Sequence, residues 1–284
     1  MRIISFERRG TPSFGLLTET GVIDAGARLG GEFPTLRSVL CAGALERLHK
    51  LAHLDADFPE AQIGYLPVIP DASKILCVGI NYLSHIRETG REVPQYPVLF
   101  TRFADSVVGH NRPMIRPKVS TAFDYEGELA VIIGKRARHV PCSDAMRHVA
   151  GYSCFNEGSI RDFQYHTIQF TAGKNFHRSG AFGPWMITSD AQPDPQAFHL
   201  QTRLNGRVLQ DAPVSDLCFG IPRLIEYCSS WTPLEPGDVI VTGTPGGVGR
   251  VRKPPIWMQP GDVVEIDIRG VGVLRNTIAD ETTE

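Results

Sequence analysis

The sequence predicts a β-rich α+β protein: a small N-terminal α+β domain over residues 1–70, then a larger strand-dominated domain over 71–284. Three observations carry that expectation. The chain holds 28 Gly and 21 Pro, about one residue in six and above average usage, which suits short strands joined by turns better than long helices. Short apolar runs bounded by Gly and Pro recur along the chain and read as strands. One stretch, residues 35–54, instead shows apolar residues at helical spacing.

In order along the chain, residues 3–6, 14–17 and 22–24 read as strands broken by Gly10, Pro12 and Gly21. Leu36, Val39, Leu40, Leu48, Leu51 and Leu54 then recur three or four residues apart and predict an amphipathic helix over 35–54. Pro59, Pro67 and Pro70 punctuate its exit and place a boundary near 65–71. Beyond it, Lys74-Ile-Leu-Cys-Val-Gly79 and residues 128–133 and 151–155 read as strands. Helices are expected over 143–150, with Ser143 or Asp144 as N-cap and Gly151 as stop, and over 222–229, with Pro222 in the first turn. Residues 238–241, 263–268 and 271–278 make a strand-rich tail.

Charge and composition remove several classes of function. Lys+Arg 29 against Asp+Glu 31 gives a net charge of −2, which denies the chain the basic face that nucleic-acid binding needs. No apolar run approaches the roughly 20 residues that span a bilayer, and residues 1–10 carry no signal-peptide core. A cytoplasmic protein without membrane or nucleic-acid partners is the expectation. The six cysteines show no C-x-x-C or zinc-finger spacing and are expected to be reduced and buried. Neither a Gly-x-Ser-x-Gly elbow nor a His-Glu-x-x-His helix is present, so serine hydrolase and zinc protease chemistry have no basis.

Five places could carry chemistry. Glu126-Gly-Glu128 enters an apolar strand, where residues i and i+2 face the same side about 7 Å apart. A solvated strand face is the commoner meaning of an isolated E-x-E; here the apolar run that follows makes two unpaired carboxylates costly, and a hard divalent cation (Mg²⁺, Mn²⁺ or Ca²⁺) would relieve them. His85 and Glu88, if helical, are i,i+3 neighbours, either a surface pair or an imidazole whose tautomer a carboxylate fixes for general-base work. The segment from Asn156 to Gln164 is a polar knot after a strand, part of which N-capping by Ser159 would explain. Lys174 offers a cation in a loop, where most lysines are solvated. Thr242-Gly-Thr-Pro-Gly-Gly-Val-Gly249 follows a strand but lacks a P-loop ending, so it supports at most a tight turn approaching a small anion.

Taken in order, these segments resemble the fumarylacetoacetate hydrolase (FAH) family. The resemblance runs from about Lys74 to the C-terminus through Lys74-Ile-Leu-Cys-Val-Gly-Ile-Asn-Tyr82, Pro97-Val-Leu-Phe100, Phe123-Asp-Tyr-Glu-Gly-Glu-Leu-Ala-Val-Ile-Ile-Gly-Lys135, Arg161-Asp-Phe-Gln164, Gly173-Lys174, Gly183-Pro184 and Thr242-Gly-Thr-Pro245. It implies a mixed, rolled β-sheet catalytic domain, a homodimer, and Mg²⁺ or Mn²⁺ on Glu126, Glu128 and Glu157, the last standing where the family usually has Asp. It further implies His85 and Glu88 as the water-activating pair, Lys174 as the group that stabilises oxyanion charge, and Gln164 and Thr244 as substrate contacts. Arg102, where the family often has lysine, is expected at the substrate, and His177, where Asp is common, is expected nearby.

The implied reaction is metal-dependent hydrolysis of a carbon–carbon bond in an acylpyruvate-like 2,4-dioxo acid through a metal-stabilised enolate. The same platform also suits a decarboxylase, isomerase or hydratase acting on a 2-oxo acid. A binding protein that kept only the fold would not need Glu126, Glu128, His85, Glu88 and Lys174 together.

Overall fold

The computed structural model describes residues 1–90 and 92–282. Its main sheet runs Val22–Asp24, Thr11–Leu17, Arg2–Arg8, Gly180–Thr188, Val149–Asn156, Gly127–Ile133, Val239–Val241, Ile75–Gly79 and Val98–Arg102. Neighbours along this path are antiparallel except for Val239–Val241 beside Ile75–Gly79, which is parallel, so the sheet is mixed as expected. A second sheet runs Arg207–Pro213, His199–Leu204, Val263–Ile268, Gly272–Asp280 and Met114–Arg116.

The strand Gly127–Ile133 lies between two cores, and its period-two alternation divides its side chains between them. Leu129, Val131 and Ile133 pack toward Leu200, Ile266 and Leu274 of the second sheet. Ala130 and Ile132 belong to the opposite cluster, with Leu36, Val39 and Leu40 of the N-terminal part. A strand buried on both faces reads as a continuous apolar run, which is why Leu129–Ile133 is legible in the sequence. Period two also puts Glu126 and Glu128 on the Ala130 side.

The sequence places a boundary near 65–71, but one sheet runs through it. Arg2 and Ile3 pair with Ile187 and Met186, so the N-terminal strands continue the main sheet and share a core with it. The helix expected over 35–54 is two short ones, Leu36–Cys41 and Leu45–His49, parted where Gly43 turns to φ 62°. The helix expected over 143–150 is only Cys142–Ala145 with a 3₁₀ turn Met146–His148. From Val149 the chain is a strand, paired on both sides, and ladder formation overrides the local helical pattern. Pro141, not Ser143 or Asp144, stands at the N-cap. The helix Ile221–Trp231 has Pro222 in its first turn as expected. Of the cysteines, Cys77, Cys154 and Cys228 are buried, whereas Cys41 is exposed and Cys142 and Cys218 are partly so; none is in a disulfide. Among the described residues no helix is long and apolar enough to cross a membrane.

Candidate active site

Glu126 and Glu157 stand opposite one another because the ladder registers Gly127 with Asn156. The Glu157 N–H donates to the Glu126 carbonyl at 2.8 Å, and the Asn156 side chain accepts from the Glu126 N–H at 3.1 Å. Glu128 follows on the same face. One ligand atom from each of Glu126, Glu128 and Glu157 falls within 4.8 Å of the others, and all three residues are buried. Like charges this close destabilise unless cations intervene.

Two cations do so. Lys174, 3% exposed at the end of the short helix Thr171–Lys174, pairs with Glu126 and reaches Glu157 Oε2 at 2.8 Å. Its ammonium also faces the Phe100 ring, 5.0 Å from the centroid. Arg161 bridges Glu126 at 2.5 Å and Asp124 at 2.7 Å and donates to Gln164 Oε1 at 2.8 Å. Burial opposes ionisation of Glu126, but Arg161 and Lys174 overcome it and hold that carboxyl far below its usual range. Burial also disfavours the Lys174 ammonium, and Glu126 with Glu157 outweighs that and raises it. Glu128 makes no ion pair among the described residues: burial first, then Glu157 and Glu126, push its carboxyl well above the usual range, against a smaller pull from Lys174.

The chemistry of this donor set fits a hard divalent cation, which takes carboxylate oxygens. Glu157 Oε1 is buried with no hydrogen-bond partner among the described residues, and an orphaned buried acceptor costs about 1–3 kcal/mol or more when charged. A cation would satisfy that atom and relieve Glu128 at once.

The glycine-rich segment does approach anions, and they are the protein's own. Gly243 N–H donates to Glu128 Oε2 at 2.5 Å. At φ 104°, with a Cβ that would stand 2.8 Å from Asn81 Cβ and 2.9 Å from the Val78 carbonyl, this position admits only glycine. Gly247, at φ 98°, donates its N–H to Glu88 Oε1 and Oε2 at 3.0 and 3.1 Å. Glu88 in turn meets His85 Nδ1 at 3.3 Å within the helix Leu83–Glu88. Ile80, a β-branched residue at φ 57°, makes the turn into this helix. Such a residue costs of order 1–3 kcal/mol there. The fully buried Asn81 holds the turn, donating to the Thr242 carbonyl at 2.7 Å and the Phe219 carbonyl at 3.1 Å and accepting from Phe219 N–H at 2.8 Å.

A cavity open to solvent gathers these groups: His85, Glu126, Glu128, Glu157, Gln164, Lys174 and Thr244 all line it. Burial lowers the His85 imidazolium below its ordinary value, against the pull of Glu126 and Glu88, so the ring is neutral at pH 7. With Nδ1–H committed to Glu88, Nε2 is the nitrogen that can take a proton.

The structure places the other expected residues less directly. Glu88 supports the ring of His85 and is not itself in the cavity lining. The Thr244 hydroxyl is engaged inside the protein, donating to the Gly127 carbonyl at 3.0 Å and accepting from Gln210 at 2.8 Å. Arg102 is 3% exposed and outside the lining; it donates to the Gly158 carbonyl at 3.0 Å, to Ser179 Oγ at 2.9 Å and to Ser106, bracing the backbone next to Glu157. His177 is exposed and lines a different depression, with Glu7 and Tyr65. Ser159 is not an N-cap: its hydroxyl donates to Glu126 Oε2 at 3.2 Å and the Glu157 carbonyl at 2.9 Å. Sequence reasoning gave no role to Asp124, Arg161 or Asn81, although each stands inside a quoted motif, because their partners lie on distant segments.

Comparison with known proteins adds a frame to this geometry. Residues 74–279 match the family model described as fumarylacetoacetate (FAA) hydrolase C-terminal. Oxaloacetate tautomerase FAHD2A, mitochondrial, from Homo sapiens is 38% identical over 222 residues, 78% of this chain and 71% of the human one. The crystal structure of 5-carboxymethyl-2-hydroxymuconate delta-isomerase from Mycobacterium smegmatis is similar with a TM-score of 0.78 at 30% identity, covering 99% of this chain and 100% of that one. Maleylpyruvate hydrolase from Sphingobium sp. SYK-6, solved with manganese(II) and pyruvate, is similar with a TM-score of 0.83 at 26% identity over 99% of this chain and 100% of that one.

Proposed function

The chain belongs to the fumarylacetoacetate hydrolase family of enzymes, and on that premise we propose that it hydrolyses a carbon–carbon bond of an acylpyruvate-like 2,4-dioxo acid, with Mg²⁺ or Mn²⁺ on Glu126, Glu128 and Glu157. The observation that carries this reading is His85, paired with Glu88, in the same cavity as the three carboxylates. A divalent cation there would supply Lewis-acid polarisation of the oxygens of a 2-oxo acid.

The chain's own residues do the rest. His85 Nε2 takes a proton from water, whose oxygen bonds to the distal carbonyl carbon, while Glu88 stabilises the imidazolium that forms. Lys174, kept protonated by Glu126 and Glu157, donates to the oxyanion at the attacked carbon. The carbon–carbon bond then breaks, its electron pair passes to the pyruvyl carbon, and His85 returns the proton there. The products are pyruvate and a carboxylic acid.

A second reading is tautomerisation, favoured by the name of the human relative at 38% identity. It uses His85 to move a proton between carbon and oxygen and needs no water. The test follows pyruvate, carboxylic acid, carbon dioxide and keto–enol interconversion from a panel of acylpyruvates and oxaloacetate, with Mg²⁺ and then with chelator. Metal-dependent release of pyruvate plus a carboxylic acid supports hydrolysis. Interconversion of oxaloacetate forms without cleavage moves the assignment to tautomerase, and silence across the panel removes both. The proposal extends to a homodimer, which light scattering tests, and to a cytoplasmic location, which differs from the mitochondrial one in the human relative's name.

A further inference from the structure

We propose that Gln210, a residue of the second sheet outside the cavity lining, is a positioning residue for the metal ligands Glu126 and Glu128; this rests on the metal reading above. Along the strand Gly127–Ile133, alternate peptides face Val239–Val241, and Thr242 N–H still donates to the Leu129 carbonyl at 3.0 Å. One step further the ladder opens. Gly243 turns away at φ 104° and gives its N–H to Glu128 Oε2. Among the described residues no strand pairs with Gly127 on that side, although Gly127 stands between the two ligands.

Side chains close the gap. Gln210 Oε1 accepts the Gly127 N–H at 2.9 Å, and the Thr244 hydroxyl donates to the Gly127 carbonyl at 3.0 Å. Gln210 Nε2 donates to Thr244 Oγ1 at 2.8 Å and to the Pro245 carbonyl at 3.0 Å. The Gly127 N–H can only donate and the Pro245 carbonyl can only accept, so these partners fix which way the amide faces. A side-chain amide carries the donor and acceptor of a peptide group, and here it stands in for the missing strand. Gln210 is 1% exposed and Gly127 is buried, so removing the amide orphans the Gly127 N–H away from water.

A β-bulge delivers this amide. The strands His199–Leu204 and Arg207–Pro213 set Thr202 opposite Gln210 and Arg203 opposite Val208, which leaves Leu209 unpaired. The bulge breaks the alternation, so Leu209 and Gln210 are both buried between the exposed Val208 and Asp211. The Leu209 carbonyl accepts from Arg252, whose guanidinium also donates to the Gly247 carbonyl at 3.2 and 3.1 Å; Gly247 N–H is the group that holds Glu88. The bulge also explains the glycine between the ligands: a Cβ at 127 would stand 2.1 Å from Oγ1 of Thr202, the residue registered with Gln210. One bulge therefore sets both the strand that carries the ligands and the turn behind the His85–Glu88 pair.

The experiment is calorimetric titration of Mn²⁺ into chelator-stripped wild type, Gln210→Met, Thr244→Val, the double variant and, as a control, Leu204→Ala. Methionine fills the same space and removes both amide contacts. Leu204 belongs to the same core, and its truncation lowers stability by opening a cavity without removing any of these hydrogen bonds. Gln210→Met should weaken Mn²⁺ binding about 10–100-fold, and Thr244→Val should weaken it too. The double variant should lose much less than the product of the two, because both act on the Gly127 peptide. Leu204→Ala should lower the melting temperature and keep wild-type affinity. Wild-type affinity in Gln210→Met, fully multiplicative losses in the double variant, or an equal loss in Leu204→Ala overturns the positioning role and leaves the metal reading standing. If Gln210→Met fails to fold, Thr244→Val decides, and wild-type affinity there overturns the role. No stoichiometric Mn²⁺ binding by the wild type overturns the role and the metal reading together.

Discussion

Replacing Lys174 with methionine removes the buried ammonium that separates Glu126 from Glu157, 2.8 Å from the latter. Methionine keeps a similar stem against Phe100, so the change is chiefly one of charge. Arg161 still pairs with Glu126, but Glu157 loses its cation. Breaking a buried ion pair from one side costs about 3–5 kcal/mol, and for a domain of this size each kcal/mol moves the melting temperature by about 2–4 °C. The metal-free variant should therefore melt about 6–20 °C below the wild type. A divalent cation on the three carboxylates supplies the missing positive charge, so saturating Mn²⁺ should close much of that gap. Calorimetry in chelator and in Mn²⁺, on both proteins, measures it. Equal melting temperatures in chelator, or a deficit that Mn²⁺ leaves untouched, would refute the reasoning.

His85→Gln should lower kcat by about 10²–10⁴-fold, the usual worth of a positioned general base. Because burial disfavours the imidazolium, the active neutral form persists to lower pH than for an ordinary histidine: kcat/KM should rise through a midpoint below about 6.5, and a midpoint above that in the wild type would contradict the assignment. Arg102→Met, which frees the Gly158 carbonyl beside Glu157, should weaken Mn²⁺ binding by about 10–100-fold, as loss of a group supporting a metal ligand does. Wild-type Mn²⁺ affinity in that variant would show that Arg102 does not position Glu157.

What was legible in the sequence was whatever depended on local pattern. The run Leu129–Ile133 announced a strand buried on both faces, and the i,i+2 spacing of Glu126 and Glu128 announced a shared face. Glu157 could be chosen from the polar knot only through the family resemblance, because its place beside Glu126 follows from a ladder register that no local spacing encodes. Lys174 reads as a solvated loop lysine, yet it is buried and paired with Glu126 and Glu157, which flank two strands. Arg102 has the composition of a substrate contact, yet its bonds go to backbone and hydroxyl groups of segments 56 and 77 residues away. The helix read over 35–54 failed for a local reason, the positive φ at Gly43, and that over 143–150 for a distant one, strand pairing from Val149 onward.

The central claim is that Glu126, Glu128 and Glu157 hold one divalent cation. Titration of Mn²⁺ into chelator-stripped protein, followed by the electron paramagnetic resonance of free Mn²⁺, tests it without presupposing a substrate. The account predicts one Mn²⁺ per chain in the wild type, with that site lost or severely weakened in Glu126→Gln, Glu128→Gln and Glu157→Gln. No stoichiometric binding by the wild type, or a site that keeps its affinity in all three variants, would contradict it.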